Sequence, residues 1–219
     1  MDDLPEIDLL IITHNHYDHL DQQTLRLLQP RIKQVYTALG VGKDLVKCGI
    51  GANLITEMDW WDTDEVTPGI TLTAAPARHF SGRGLKRGGS LWASFVLLLN
   101  GYKIYIGGDS GYDAHFKEIG KKYGPFDLAV LETGQYNPDW RYIHMSPEEA
   151  VQAAGDLGAE VFLPVHWSKF ALAYHAWDEP VVRAVKAAAE QGIKITTPRI
   201  GEPVILRGDT PDQHWWENF

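Results

Sequence analysis

A chain of 219 residues, 44% hydrophobic and 22% charged, carries enough apolar matter for one compact domain and shows no bias toward disorder, collagen or coiled coil. Its formal net charge of −9 argues against non-specific nucleic-acid binding, which needs clustered lysine and arginine. An anionic substrate is still admitted, because bound divalent cations reverse the local sign.

The single cysteine, Cys48, cannot form an internal disulfide, so folding does not depend on oxidation and the cytoplasm suits the chain. Asp2, Asp3 and Glu6 make the N-terminus acidic, unlike a signal peptide. The apolar run Leu91–Leu99 is broken by Ser94 and is about half the length of a membrane-spanning helix. A soluble protein is expected.

No repeat, low-complexity tract or linker marks a boundary, so residues 1–219 are expected to form a single domain. Ile7–Ile12 is a short apolar run that predicts a buried strand. Gln22–Leu28 predicts a helix capped by Asp21 and stopped near Pro30. Strand and helix follow at Arg31–Tyr36 and Val41–Cys48, the helix closed by Gly49. Strands are expected at Leu54–Glu57, Thr71–Ala75, Leu91–Leu99 and Lys103–Ile106, with Asn100 and Gly101 as a two-residue hairpin. Helices at Ala114–Lys122 and Glu148–Ala154 then alternate with strands at Leu128–Glu132 and Val161–Val165. Ser146, Pro147 and Glu149 make a capping box with proline at the first helical position. A helix at Val181–Gln191, stopped at Gly192, leads to closing strands at Lys194–Thr196 and Val204–Leu206. The pattern predicts a layered α/β fold.

The polar residues of interest follow strand ends, where loops carry function on a rigid scaffold. THNHYDHLD places His14, His16, Asp18 and His19 directly after the first strand. Three imidazoles and a carboxylate within six residues suit zinc, iron or manganese far better than they suit a core or a tight turn. His79 in PARHFSGRG, Asp109 in IGGDSGY and His166 in FLPVHWSKF each follow an apolar strand. Taken alone each has an ordinary reading, as a hydrogen-bonded histidine or a turn residue. Because they recur at strand ends, together they can supply a second metal site and a carboxylate for two ions to share.

Between His79 and the Leu91 strand, Arg83, Lys86 and Arg87 stand among glycines. A basic loop beside a metal donor is expected to hold a substrate phosphate or carboxylate, and the alternative is an exposed hairpin with incidental charge. Tyr136, Trp140, Trp167 and Phe170 can wall an apolar pocket or pack in the core, and Trp60 and Trp61 are expected to pack. His115, His175 and His214 are expected at solvated or terminal positions.

THNHYDHLD resembles the HxHxDH signature of the metallo-β-lactamase superfamily, whose later His, Asp and His recur here in order. GDSGYDAHFKEIGKKYGPFDLAVLETGQY, HMSPEEAV and VHWSKFALAYH resemble the phospholipases D that hydrolyse N-acyl phosphatidylethanolamine, and their bacterial relatives. The likeness runs from about Leu4 to about Pro180. It implies an α/β fold, the metallo-β-lactamase αββα sandwich, and two zinc ions, with manganese or iron as alternatives. His14, His16 and His79 would hold one ion, Asp18, His19 and His166 the other, and Asp109 would bridge them. A hydroxide between the ions would attack the substrate, oriented by Asp18. His144 matches a histidine near the phospholipase active site and would contact the substrate or protonate the leaving group. The activity implied is hydrolysis of a small-molecule or lipid phosphodiester, with membrane contact at the periphery. Hydrolysis of a lactone or carboxylic ester, as in ascorbate-6-phosphate lactonases, is the alternative, and a non-catalytic metal-binding fragment is a third reading. In the family several strands precede the HxHxDH loop, so the chain is expected to be N-terminally shortened. An incomplete sheet exposes an edge or an apolar face, which predicts homo-oligomers, checked by light scattering.

Overall fold

The computed structural model describes residues 4–84, 86–170 and 172–218. In chain order the first elements are β1 (Leu10–Ile12), α1 (Gln22–Leu28), β2 (Val35–Ala38), α2 (Gly42–Lys47), β3 (Ile55–Met58), β4 (Thr63–Thr67) and β5 (Ile70–Ala75). Then come β6 (Gly82–Arg83), β7 (Lys86–Arg87), β8 (Ser94–Leu99), β9 (Tyr102–Ile106) and α3 (His115–Tyr123). The last are β10 (Leu128–Glu132), α4 (Pro147–Leu157), β11 (Phe162–Val165) and α5 (Glu179–Gln191). Two compact units result. One takes the residues up to Asp64 with Thr73–Pro76 and Phe80–Phe95, and the other takes Glu65–Leu72, Ala77–His79 and the residues from Val96 onward.

The first unit is built on a parallel sheet in the order β1-β2-β3, with Leu10 opposite Val35 and Val35 opposite Ile55. Parallel neighbours need crossovers, and α1 and α2 supply them. All four residues of the middle strand are buried, as a parallel strand requires. The Asp21 side chain accepts from the Thr24 backbone N–H at 2.7 Å, so the cap read from the sequence starts α1.

The second unit holds β9, β10 and β11 whole, with the parts of β4, β5 and β8 that fall within it, from a sheet in the order β11-β10-β9-β8-β5-β4. Asn100 (φ 49) and Gly101 (φ 87) turn β8 into β9 with the two positive φ values of a type I′ hairpin. From β9 the chain runs parallel through β10 to β11, with α3 and α4 as crossovers. The expected capping box is present: Ser146 Oγ accepts from Glu149 N–H, and the Glu149 carboxylate accepts from Ser146 N–H. Gly158 (φ 67) and Gly192 (φ 68) end α4 and α5 in the left-handed conformation that glycine adopts at least cost. Tyr105, Phe116 and Phe126, all fully buried, pack edge to face under β9.

Several expectations are corrected. Lys194–Thr196 is not a strand, because Ile195 makes one isolated parallel bridge to Phe162 and Thr196 then turns to Pro211, its N–H going to Phe162 and its hydroxyl to the Pro211 carbonyl. Val204–Leu206 is irregular, with Pro203 removing a donor before it and Ile205 exposed. The strand expected at Arg31–Tyr36 lies at Val35–Ala38, and β8 starts at Ser94 rather than Leu91. The polar strand β4 carries no apolar alternation and lies at a sheet edge, so no sequence pattern marked it. Among the described residues no helix is long and apolar enough to cross a membrane.

Candidate metal centre

In the first unit the β1 strand runs straight into Thr13, His14 and Asn15, all three buried. His14 Nδ1 lies 3.0 Å from Thr13 Oγ1, and His14 Nε2 lies 3.0 Å from His16 Nδ1. Nitrogens sharing a tetrahedral zinc at about 2.05 Å sit about 3.3 Å apart, so this pair of imidazoles is close to a chelating separation. The N–H groups of His19 and Leu20 both bond back to the His16 carbonyl, and the turn sets Asp18 and His19 side by side at 3.7 Å. The His14 and His19 rings lie 4.1 Å apart between centroids. The four donors expected from THNHYDHLD are thus gathered in one loop.

That loop is braced by its neighbours. Asn15 accepts from Gly82 N–H at 2.8 Å and donates to Asp44 at 2.9 Å. Arg83 Nη1 donates to the backbone carbonyls of Asn15 and Leu20, and its guanidinium lies 4.2 Å over the Tyr17 ring. The β6–β7 hairpin therefore holds the histidine loop in place. Arg87 is exposed and lies 4.9 Å over Phe80, whereas the Lys86 side chain falls outside the described residues. Trp60 packs against Trp92 and donates to its carbonyl, as expected for a packing residue.

In the second unit His79, Asp109, His144 and His166 are gathered at the ends of the strands. His79 Nδ1 donates to the Ile143 carbonyl at 3.0 Å, which sets the tautomer and leaves Nε2 3.8 Å from Asp109 Oδ2. Asp109 Oδ1 lies 3.7 Å from His166 Nδ1. Both separations are too long for a hydrogen bond and suit donors that share a cation. Gly111 approaches so closely that a Cβ would lie 2.4 Å from the Tyr142 carbonyl carbon, which packs the Asp109 loop onto the segment that receives His79.

Glu132 was not singled out from the sequence, yet its side chain is completely buried in this cluster. One oxygen accepts from Ser110 N–H at 2.8 Å, and the other lies 2.6 Å from His144 Nδ1 and 3.5 Å from His166 Nδ1. Asp109, Glu132, His144 and His166 each offer an atom within 4.8 Å of the others. An acid ending the apolar strand LAVLE was the available signal. Burial opposes a charge on His144, but the Glu132 carboxylate, with help from Asp109, outweighs it and raises the imidazole pKa.

His115, expected to be solvated, is partly buried with Nε2 3.3 Å from Ser110 Oγ. Burial pushes its pKa down from 6.5 to about 4, assisted by Arg78 and opposed by Asp113. The unfolded chain takes up this proton at about 6.5 and the folded chain only at about 4, so stability is level above that window and falls as the pH drops through it. The difference is ~3 kcal/mol. Thermal melts from pH 7 to pH 4 should show this loss, and His115→Gln should flatten it; an unchanged slope in the variant would count against the assignment.

His175 and Gln135 shape the segment after His166. Gln135 N–H donates to His175 Nε2 at 2.9 Å, and the Gln135 side chain bonds the Phe170 carbonyl and the N–H groups of Leu172 and Ala173. Gln135 (φ 63), His166 (φ 65) and Ser168 (φ 69) all hold left-handed backbone that non-glycine residues seldom adopt. His214 sits at the exposed tail, 3.0 Å from Glu217.

The two donor sets consist of neutral-capable imidazoles and carboxylates, the chemistry that zinc, iron and manganese share. Cys48 supplies no thiolate, since it is buried and donates to the Asp44 carbonyl. The residues present fit divalent metal ions.

Residues 1–167 match the β-lactamase superfamily domain. An uncharacterised protein of Mycobacterium tuberculosis is 42% identical over 217 residues, which cover 97% of this chain and 58% of that one. N-acyl-phosphatidylethanolamine-hydrolysing phospholipase D 1 of Caenorhabditis elegans is 36% identical over 183 residues, 78% of this chain and 51% of the relative. A metal-dependent hydrolase of Methanocorpusculum labreanum is 31% identical over 196 residues, 88% of this chain and 78% of the relative. The chain thus spans little more than half the length of the first two. Among solved structures, isothiocyanate hydrolase from Delia radicum gut bacteria superposes with a TM-score of 0.73 at 22% identity, covering 94% of this chain and 80% of that one. The metallo hydrolase Igni18 of Ignicoccus hospitalis gives 0.68 at 24% identity, covering 94% and 78%. These two show a shared mixed α/β fold, that of the metallo-β-lactamases, and with the sequence matches they establish that the chain belongs to the β-lactamase superfamily and has metal-dependent hydrolases among its relatives.

Proposed function

We propose that this chain is a dinuclear metal hydrolase that cleaves phosphodiesters, with phospholipids of the N-acyl phosphatidylethanolamine type as the substrate class. The observation that carries the reading is the buried Asp109 carboxylate with an imidazole 3.7 to 3.8 Å from each of its oxygens, His79 on one side and His166 on the other. In this assignment His14, His16 and His79 would hold one ion, Asp18, His19 and His166 would hold the second, and Asp109 would serve both. When bound, two zinc, iron or manganese ions supply an acidified water and offset negative charge on the substrate oxygens.

The chain's own groups do the rest. Asp18 orients the attacking water by accepting one of its protons. His144 contacts the substrate through Nε2 and hands a proton to the leaving oxygen. Arg87, exposed on the hairpin, is free to reach a substrate anion in a way that Arg83, bonded to two carbonyls, is not. Exposed Phe170, Leu172, Tyr174 and Trp177 follow His166 and support a substrate with acyl chains and contact with a lipid surface.

Metal content by inductively coupled plasma mass spectrometry, on protein purified without chelator, is paired with turnover of bis(p-nitrophenyl) phosphate. About two equivalents of metal and turnover that EDTA abolishes are expected. Two metals with turnover of lactones or activated esters alone would move the assignment to a lactonase, and no bound metal after reconstitution would end it.

A further inference from the structure

Glu132 ends β10 with no exposed side-chain surface, and both its oxygens are already used. Oε1 accepts from Ser110 N–H at 2.8 Å, and Oε2 lies 2.6 Å from His144 Nδ1. Ser110 follows Asp109 in the chain, so this one carboxylate touches both the loop that carries Asp109 and the ring of His144. Oε2 also stands 3.5 Å from His166 Nδ1. An ionised carboxylate only accepts, so a proton on His144 facing it must reside on Nδ1.

We propose that Glu132 is a positioning residue, whose carboxylate locks His144 as the Nδ1–H tautomer and ties that ring to the Asp109 loop. Nε2 is then the only ring nitrogen of His144 left to meet the substrate. A carboxylate behind an imidazole near a metal centre fixes both the ring's orientation and which nitrogen works. Ser110 N–H on Oε1 and the His144 ring against Oε2 engage the carboxylate on both sides, which suits an outer partner better than a direct ligand. A purely structural ion pair is disfavoured as well, because burying a charge completely is expensive when an uncharged side chain fills the same space.

The kinetic part of this inference rests on the hydrolase reading, whereas the tautomer does not. The test is a two-bond 1H–15N correlation spectrum of the full chain as purified, recorded above the titration of His144. Wild-type protein is expected to show His144 with its proton on Nδ1. In Glu132→Gln the amide oxygen must still accept from Ser110 N–H, which turns the amide NH2 toward His144 Nδ1 and moves the proton to Nε2. Glu132→Asp keeps the charge and should retain Nδ1–H. An Nε2–H wild type, or an Nδ1–H ring that persists in Glu132→Gln, overturns the proposal; if Glu132→Gln does not fold, the wild-type spectrum decides. Turnover of bis(p-nitrophenyl) phosphate by the metal-loaded protein adds a second readout. Glu132→Gln should lower kcat about ten- to a hundredfold at unchanged KM, with partial recovery in Glu132→Asp. A loss that is equal in both variants and is seen in KM speaks against positioning. A wild type with the expected tautomer and no turnover of this substrate refutes the phosphodiesterase reading and supports the positioning of His144.

Discussion

Asp109→Ala is expected to release at least one equivalent of metal and to reduce hydrolysis by more than about a hundredfold, the upper end of what losing an outer partner of a metal ligand costs. Its neighbours in the chain cannot take over. Gly107 and Gly108 precede it without side chains, and the Ser110 hydroxyl is occupied, accepting from Arg78 N–H at 2.9 Å and donating to the Gly111 carbonyl at 2.9 Å. Asp109→Asn makes the comparison sharper, because it keeps the shape and removes the charge that would offset two cations. Mass-spectrometric metal content and phosphodiester turnover on both variants are the measurements. Full activity with two bound metals in Asp109→Ala would remove this residue from the site.

Gly134→Ala is expected to be the most disruptive small substitution in the second unit. A Cβ there would lie 2.1 Å from the His166 carbonyl oxygen, 3.0 Å from its carbonyl carbon and 3.1 Å from Trp167 Cα. All three are backbone atoms, so no side chain can swing aside and the chain after β11 has to move. Overpacking of this kind costs roughly 3 kcal/mol. For a chain of this size that is about 6 to 12 °C in melting temperature. The same displacement pulls His166 away from Asp109, so metal affinity should fall along with stability. A melting temperature within about 1 °C of wild type would mean that the approach is looser than described.

The strongest local signals in the sequence were read correctly because their physics is local. Asn100-Gly101 favours a tight turn with both φ values positive, and Ser146-Pro147 with Glu149 satisfies helix donors within four residues. Leu128–Glu132 is a strand over the range expected from its unbroken apolar run. The site was half legible. The imidazoles and carboxylates could be named from their clustering after strands, but Glu132 could not, because its role comes from Ser110 and His144, 22 and 12 residues away. Sequence alone offers Arg83 as a substrate cation or an incidental hairpin charge, and its engagement by the carbonyls of Asn15 and Leu20, 68 and 63 residues back, is invisible without the fold. A polar helix position predicts a solvated His115, whereas the fold sets it against Ser110 and the Phe116 ring. The polar strand β4 shows the same limit: an edge strand owes its existence to the neighbour that pairs with it.

The Gln135 clamp has a consequence for how substrate range can change. By gripping the Phe170 carbonyl and the N–H groups of Leu172 and Ala173, one side chain anchors the start of the exposed apolar segment independently of what lies beyond it. Tyr174, almost fully exposed, is therefore trim on a fixed mount, whereas Trp177 is held by its contact with the Trp215 ring. If the proposed lipid substrate is right, libraries that vary Tyr174 should retune the preference for chain length or headgroup while His166 keeps its place.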